Sequence, residues 1–306
     1  MLVVHLMASP FVGGPERQVL GLARHMTADC RTVFLSFAER GLAEPFLAKA
    51  AGDGFQAIRL AENAPHFLRA AAEVADWLRT LGADLLCTSG YKPDLIGWLA
   101  ARRVGVPVAA IAHGWTSATW KVRCYEQLDR WAMRRMDAVV CVSEGQAVKV
   151  RRAGVTPERA AVIRNAIDAD AFPGADSAVR ESLLALFPVR PRRLIAAAGR
   201  LSREKGFDVL IDAASRLAPA WPDAGFVLFG DGPLREDLTR RIAERGLSDR
   251  FVLAGFRLDL ERLLPACDLA VSSSHTEGLP VVVLEEMAAA LPVVATAVGG
   301  TPEVVE

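Results

Sequence analysis

Short, almost continuous apolar runs alternate along this chain with longer stretches whose hydrophobic residues recur every three to four positions. The apolar runs fall at 2–7, 32–36, 56–60, 85–88, 108–112, 138–142 and 161–163, and again at 194–198, 226–229, 251–254, 269–272 and 293–295. Helical patterns separate most of them, at 17–26, 44–51, 67–81, 95–104, 125–136, 146–153, 234–245 and 281–290. A strand apolar on both faces must be covered on both faces, so this alternation predicts parallel sheets sandwiched by helices. Two such series occur, with Pro173-Gly174 and the stretch from Pro188 to Pro191 marking a linker between them. The expectation is an α/β protein of two Rossmann-like domains, 1–172 and 173–306.

In such sheets ligands bind outside the carboxyl ends of the strands, so the loops there carry the candidate chemistry. After the first run come Gly13 and Gly14, opening a helix. Their spacing is neither GxGxxG nor a Walker sequence and Lys is absent, which points to a cleft-lining loop where the backbone approaches a ligand closely. His113 and Gly114 follow the fifth run; a lone His reads first as a structural hydrogen-bonder. Ser143 after the sixth run reads as a helix N-cap. Asp168-Ala169-Asp170 mimics a DxD metal motif but falls in a turn, beside Asn165 and Ala166. In the second series, Arg200 and Lys205 flank a strand-to-helix turn, where a guanidinium fork and an ammonium can reach one pyrophosphate. Asp231, within Gly230-Asp231-Gly232-Pro233, reads as turn chemistry.

The most informative stretch is 272–303, SSSHTEGLPVVVLEEMAAALPVVATAVGGTPE. Pro280 stands at the expected first helical position, so the amides around Gly278 and Leu279 form an anion site at a helix N-terminus. Glu277 precedes that terminus and Glu285 lies inside the helix, with seven residues between them. One carboxylate then sits near the anion and the other farther along the ligand, a layout that suits a nucleotide-sugar.

The Glu-x7-Glu segment, the Gly-Arg-Leu…Lys-Gly turn at 199–206, His113-Gly114 and the Asn165–Asp168 turn together resemble the retaining GT-B glycosyltransferases of glycosyltransferase family 4 (glycosyl transferases group 1). The resemblance implies two domains facing a cleft, 1–172 on the acceptor side and 173–306 on the donor side. The second would be incomplete at its C-terminus, because relatives continue with a further strand and helices. It implies transfer of a sugar from a nucleotide-sugar donor to a glycan, lipid-linked or small-molecule acceptor, without cofactor or metal. Arg200 and Lys205 would hold the diphosphate, Glu285 the ribose, and Glu277 the donor sugar. His113 would orient sugar or acceptor, with Gly13, Gly14, Asn165, Gly278, Leu279 and Pro280 lining the substrates. Where the family has glycine after Asn165, this chain has Ala166. Two rivals stay open: an inactive, truncated chain serving as a binding or scaffold subunit, and a sugar-nucleotide epimerase of the same architecture.

Composition narrows the setting. With 306 residues, 52% hydrophobic and 24% charged, the chain can bury two cores. A formal net charge of zero argues against a nucleic-acid partner. Five scattered cysteines without CxxC spacing predict buried thiols rather than a disulfide frame or zinc site. The N-terminus lacks a basic leader and no run approaches ~18 apolar residues, so the expectation is a cytoplasmic, soluble protein. The segment 120–136 interleaves Lys121, Arg123, Arg130, Arg134 and Arg135 with Trp120, Tyr125 and Trp131. It reads first as a solvated helix face, and alternatively as peripheral contact with an anionic membrane at its inner face.

Overall fold

The alternation is realised strand for strand. The computed structural model describes residues 1–9, 11–115 and 120–306; Pro10 and the side chain of Lys121 lie outside the described residues. The chain divides into two compact units, Met1–Asn165 and Ala166–Glu306. That boundary precedes the expected 172/173, because Phe172 already packs against the second unit's core.

In the first unit the elements run β1 (Leu2–Met7), α1 (Gly14–His25), β2 (Arg31–Phe37), α2 (Glu44–Gly52), β3 (Gln56–Leu60), α3 (Phe67–Leu81) and β4 (Leu85–Ser89). They continue with α4 (Tyr91–Val104), β5 (Val108–Ala112), α5 (Trp120–Met133), β6 (Ala138–Cys141), α6 (Glu144–Arg152) and β7 (Ala160–Val162). The strands form one parallel sheet in the order β3-β2-β1-β4-β5-β6-β7. Period-two alternation splits the core between its faces. Val4, Leu6, Leu35 and Phe37 pack with α3 and α4, while Met7 and Phe34 pack with α1 and α2.

The second unit holds α7 (Ser177–Leu184), β8 (Arg193–Ala198), α8 (Phe207–Leu217), β9 (Ala224–Phe229), α9 (Arg235–Glu244) and β10 (Phe251–Gly255). After these come α10 (Leu260–Leu263), β11 (Leu269–Ser272), α11 (Val281–Ala288) and β12 (Val293–Ala295). Its parallel sheet has the order β10-β9-β8-β11-β12, the same winding in shorter form. One device recurs at the amino ends of both sheets. Asp84, Asp137 and Asp268 each precede a strand and accept an amide from the start of its neighbour, the first residue in Leu2 and Val108 and the second in Leu194, at 2.6, 2.9 and 2.6 Å. Those edges are thereby closed by the chain itself, and the open loops lie at the carboxyl ends.

Several details depart from the sequence pattern. The helices α7 and α10 are too short for a hydrophobic period to show; α7 is started by Asp176, whose carboxylate accepts the Ala178 amide at 2.8 Å. First turns also hide from the pattern, so α4 begins at Tyr91 and α5 at Trp120. Ala166 is absent from the positive-φ residues, so that turn needs no glycine. The cysteines are unpaired, four of them buried or half-buried as expected, but Cys124 is exposed on α5. No helix among the described residues is long and apolar enough to cross a membrane.

Candidate active site

The strand order of the second sheet reverses between β8 and β11, and in such sheets the ligand crevice lies there, at the carboxyl edge. Two loops meet at that point. One leaves β8 as Gly199 to Gly206 and carries Arg200 and Lys205; the other leaves β11 as Ser273 to Pro280 and carries Glu277. The Ser273 hydroxyl donates to the Lys205 carbonyl at 3.1 Å, and the His275 amide donates to the Glu204 carbonyl at 2.8 Å. The Lys205 ammonium donates to Glu277 Oε1 at 2.6 Å, and that oxygen also accepts the Ser274 hydroxyl at 2.6 Å.

Two glycines set how tightly these loops can close. Gly206 has φ +60°, and a Cβ there would stand 2.2 Å from the Ser273 carbonyl oxygen. Gly299 has φ +56°, and its Cβ would stand 2.0 Å from the Glu277 carbonyl oxygen. No side chain fits either place, so both glycines are required by contact as well as by conformation.

The Lys205 and Glu277 side chains are 19% and 11% exposed. At that depth the attraction is less screened than at the surface, yet desolvation offsets much of it, so the pair positions an ammonium more than it stabilises the fold. Arg200 lies exposed on the same loop. Glu277 to Pro280 run directly into α11, whose N-terminus adds positive potential. The helix starts at Val281 as the pattern has it, but Pro280 caps it in an extended conformation (φ −71°, ψ 112°) instead of taking the first helical position. Glu285 is buried on α11.

The next residue, Glu286, is a functional candidate that pattern reading missed. Its carboxyl is fully buried with neither oxygen hydrogen-bonded. Burial pushes its pKa up to about 8, with the nearby Lys205 charge pulling the other way. The available signal was the Glu285-Glu286 doublet on a helix apolar on nearly every side: two adjacent carboxyls cannot both reach water there.

The first unit offers a different edge. A cavity of about 200 Å³ opens at the carboxyl ends of β4 and β5, lined among others by Tyr91, His113, Trp115, Glu126, Asp129 and Gln146. His113 is partly exposed as a residue, but its Nε2 is shielded from water and unbonded. Desolvation of that ring lowers its pKa to about 4, so the imidazole is neutral at physiological pH. The Trp115 indole N–H donates to Asp129 Oδ2 at 2.7 Å. Asp94, at the start of α4 and fully buried, adjoins Asp129. Burial and mutual repulsion hold the Asp94 carboxyl well above the usual range, and burial also raises Asp129.

The remaining candidates sort simply. Arg200, Lys205, Glu277, Gly278, Leu279, Pro280 and Glu285 come together on two loops and a helix of the second unit, whereas Gly13, Gly14, His113 and Asn165 belong to the first. The Gly13 amide donates to Glu16 at 2.9 Å and so helps start α1. Ser143 caps α6 through the Gln146 amide at 3.0 Å. Asp168 accepts the Asp170 amide at 3.1 Å and Asp231 accepts the Gly232 amide at 2.7 Å, both local turn bonds. No cluster of three metal-ligating side chains occurs among the described residues.

Two doubly wound sheets, with a lysine and paired glutamates at the reversal point of the second, define a GT-B fold. Residues 12–171 match the sequence profile described as Glycosyltransferase Family 4, and residues 192–306 match that described as Glycosyl transferases group 1. The chain belongs to glycosyltransferase family 4. It is 33% identical to the 2-deoxystreptamine glucosyltransferase of Streptomyces kanamyceticus, over 67% of this chain and 57% of that protein. It is 29% identical to an Escherichia coli enzyme named UDP-Gal:alpha-D-GlcNAc-diphosphoundecaprenol alpha-1,3-galactosyltransferase, over 71% of this chain and 58% of that protein. The chain thus spans under two thirds of these relatives' length. The crystal structure of Anabaena Alr3699/HepE in complex with UDP superposes with a TM-score of 0.82 at 25% identity, covering 100% of this chain and 83% of that one.

Proposed function

We propose that this chain moves a sugar from a UDP-sugar to a hydroxyl acceptor with retained anomeric configuration, without a metal ion. The observation that carries the reading is the Lys205–Glu277 pair at the reversal point of the second sheet, 2.6 Å long and partly shielded. A donor diphosphate placed there would share Lys205 with Glu277, and Arg200 on the same loop would add a second cation. Both oppose the negative charge that grows on the leaving diphosphate, and the N-terminus of α11 acts in the same sense. Glu285 takes the ribose hydroxyls, Glu277 the donor-sugar hydroxyls, and neutral His113 orients the acceptor. The bond from the anomeric carbon to the phosphate oxygen breaks, the acceptor oxygen bonds to that carbon, and the acceptor's proton leaves with the diphosphate. No side chain is assigned as a covalent nucleophile. UDP as the nucleotide is supported by the HepE complex and by the E. coli relative's named donor.

On the same reading, Trp120, Trp131, Arg134 and Arg135, all exposed, suit peripheral contact with an anionic bilayer. The decisive experiment is a thermal-shift screen against UDP, GDP and ADP sugars, with and without EDTA. A donor at ~100 times its dissociation constant adds roughly 2.7 kcal/mol. A shift selective for UDP-sugars and indifferent to EDTA is expected. No shift with any donor, from a folded sample, would overturn the transferase reading in favour of a scaffold subunit.

A further inference from the structure

The cavity of the first unit carries chemistry that the diphosphate site does not explain. Among the described residues that line it, the formally charged side chains are Glu126 and Asp129, with no Lys or Arg. Behind Asp129 stands Asp94, which adjoins it, and all three carboxyl side chains are 4% exposed or less. Arg130 lies 3.8 Å from Glu126 and over the Trp115 ring. Its charge also pulls Asp129 down, against the burial that raises it.

A second observation points to a ligand independently of the acids. Gln146 is 1% exposed, lines the cavity, and neither its amide oxygen nor its amide nitrogen has a hydrogen-bond partner. Buried amides left unsatisfied cost on the order of 1–3 kcal/mol, so such a group marks a place where something polar is meant to bind. The Nε2 of His113 and Oδ1 of Asp129 are likewise unbonded at the same cavity. The rest of the wall is flat and apolar, from Tyr91, Trp115 and Met133. At about 200 Å³ the space lies below the ~300 Å³ where pockets for drug-sized ligands begin, and so takes one ring.

We infer that this cavity binds a single polyhydroxylated ring bearing a protonated amine, an amino sugar or aminocyclitol, with the ammonium held by Asp129 and Glu126 and the hydroxyls by Gln146 and His113. The inference rests on the transferase reading for its meaning, since the bound ring would be the acceptor. An ammonium relieves the repulsion between the buried carboxyls, which an uncharged hydroxyl cannot do. The aromatic walls take the apolar face of the ring.

The test is calorimetric titration of the full chain with matched single-ring probes at pH 7: glucosamine against glucose, and 2-deoxystreptamine against myo-inositol. Each amine is expected to bind at least about tenfold more tightly than its hydroxyl counterpart, the lower range for a hydrogen bond to a charged group. That preference should vanish in Asp129→Asn, whose amide oxygen can still accept the Trp115 N–H. Equal binding of amine and hydroxyl probes by the unaltered chain overturns the inference without any variant having to fold. So does an amine preference that survives Asp129→Asn. A UDP titration run alongside separates the two readings. A UDP response with no amine preference removes this inference alone, whereas amine selectivity without a UDP response supports the cavity and breaks the donor-site reading.

Discussion

The two sheets share a winding order and a reversal point, yet their carboxyl edges differ in electrical character: among the described residues no Lys or Arg lines the first unit's cavity, while both stand on the second unit's loop. In the first unit buried Asp129 and Glu126 line one cavity with a neutral imidazole, His113, and Asp94 stands behind Asp129. In the second, cations stand forward on a loop and the acids lie beside or behind them: Arg200 and Lys205 with Glu277, Glu285 and Glu286. Nothing in the sheets dictates this. Both present parallel strand ends to the same kind of loop, so the difference is written in the few residues that follow each strand. Topology supplies a place for a ligand, and loop chemistry decides its sign.

The sharpest way to break the comparison is to remove the cation. Lys205→Ala should lower kcat/KM with a UDP-sugar donor by roughly 10²–10³-fold, the usual loss when one group stabilising transition-state charge is deleted. UDP affinity should fall with it. His113→Ala should leave UDP affinity unchanged while slowing turnover, because it belongs to the other edge. Steady-state kinetics and UDP titration of the two variants check this; equal loss of UDP affinity in both would dissolve the distinction.

A smaller effect sharpens the comparison through pH. Glu286 is held near 8 in the folded chain and titrates near 4.5 when unfolded. Between those values the native state keeps a proton that the unfolded chain has lost, so this group's contribution is full below about 4.5 and declines as pH rises toward 8. The isosteric Glu286→Gln mimics the protonated form. It should match the unaltered chain closely near pH 5 and exceed it in stability by a few kcal/mol at pH 8 and above. Urea unfolding at several pH values measures the difference, and parallel profiles would show that the carboxyl is not buried as described. Ionised Glu286 would also compete for Lys205, so UDP affinity should weaken above pH 8 in the unaltered chain and not in the variant.

Much of this was legible before any coordinates, for identifiable reasons. The strands are short apolar runs that a doubly covered sheet demands, and all of them fall where the pattern put them. Arg200, Lys205 and Glu277 were readable as candidates because glycines and a proline mark the turns that carry them, and Glu285 because it stands in the apolar helix that follows. What stayed hidden depends on contacts between residues distant in sequence. Asp94 and Asp129 lie on different helices, and only the packing of α4 beside α5 makes them a pair. Gln146 is one polar residue of the helical pattern at 146–153, and its empty hydrogen-bonding capacity is a property of the cavity wall. Glu286 has no turn residue beside it, and its burial comes from the packing of α11.

Helix ends also differ in strain. In the first unit, α3 and α4 end on Gly82 and Gly105 with φ +65° and +74°, the left-handed geometry that glycine adopts without cost. In the second, Gly246 after α9 does the same with φ +67°, but beyond α11 stands Ala290, which has φ +57° and carries a Cβ. The left-handed region costs an L-residue roughly 1–2 kcal/mol, partly offset by the greater unfolded-state entropy of glycine. Ala290→Gly should therefore stabilise the second unit by about 1 kcal/mol, raising Tm by about 2–4 °C. Because Ala290 is exposed, lost packing should not mask the gain. The strain sits at the far end of the helix that carries Glu285, so UDP affinity should stay constant while Tm rises. A variant less stable than its parent would mean that this helix end is not left-handed.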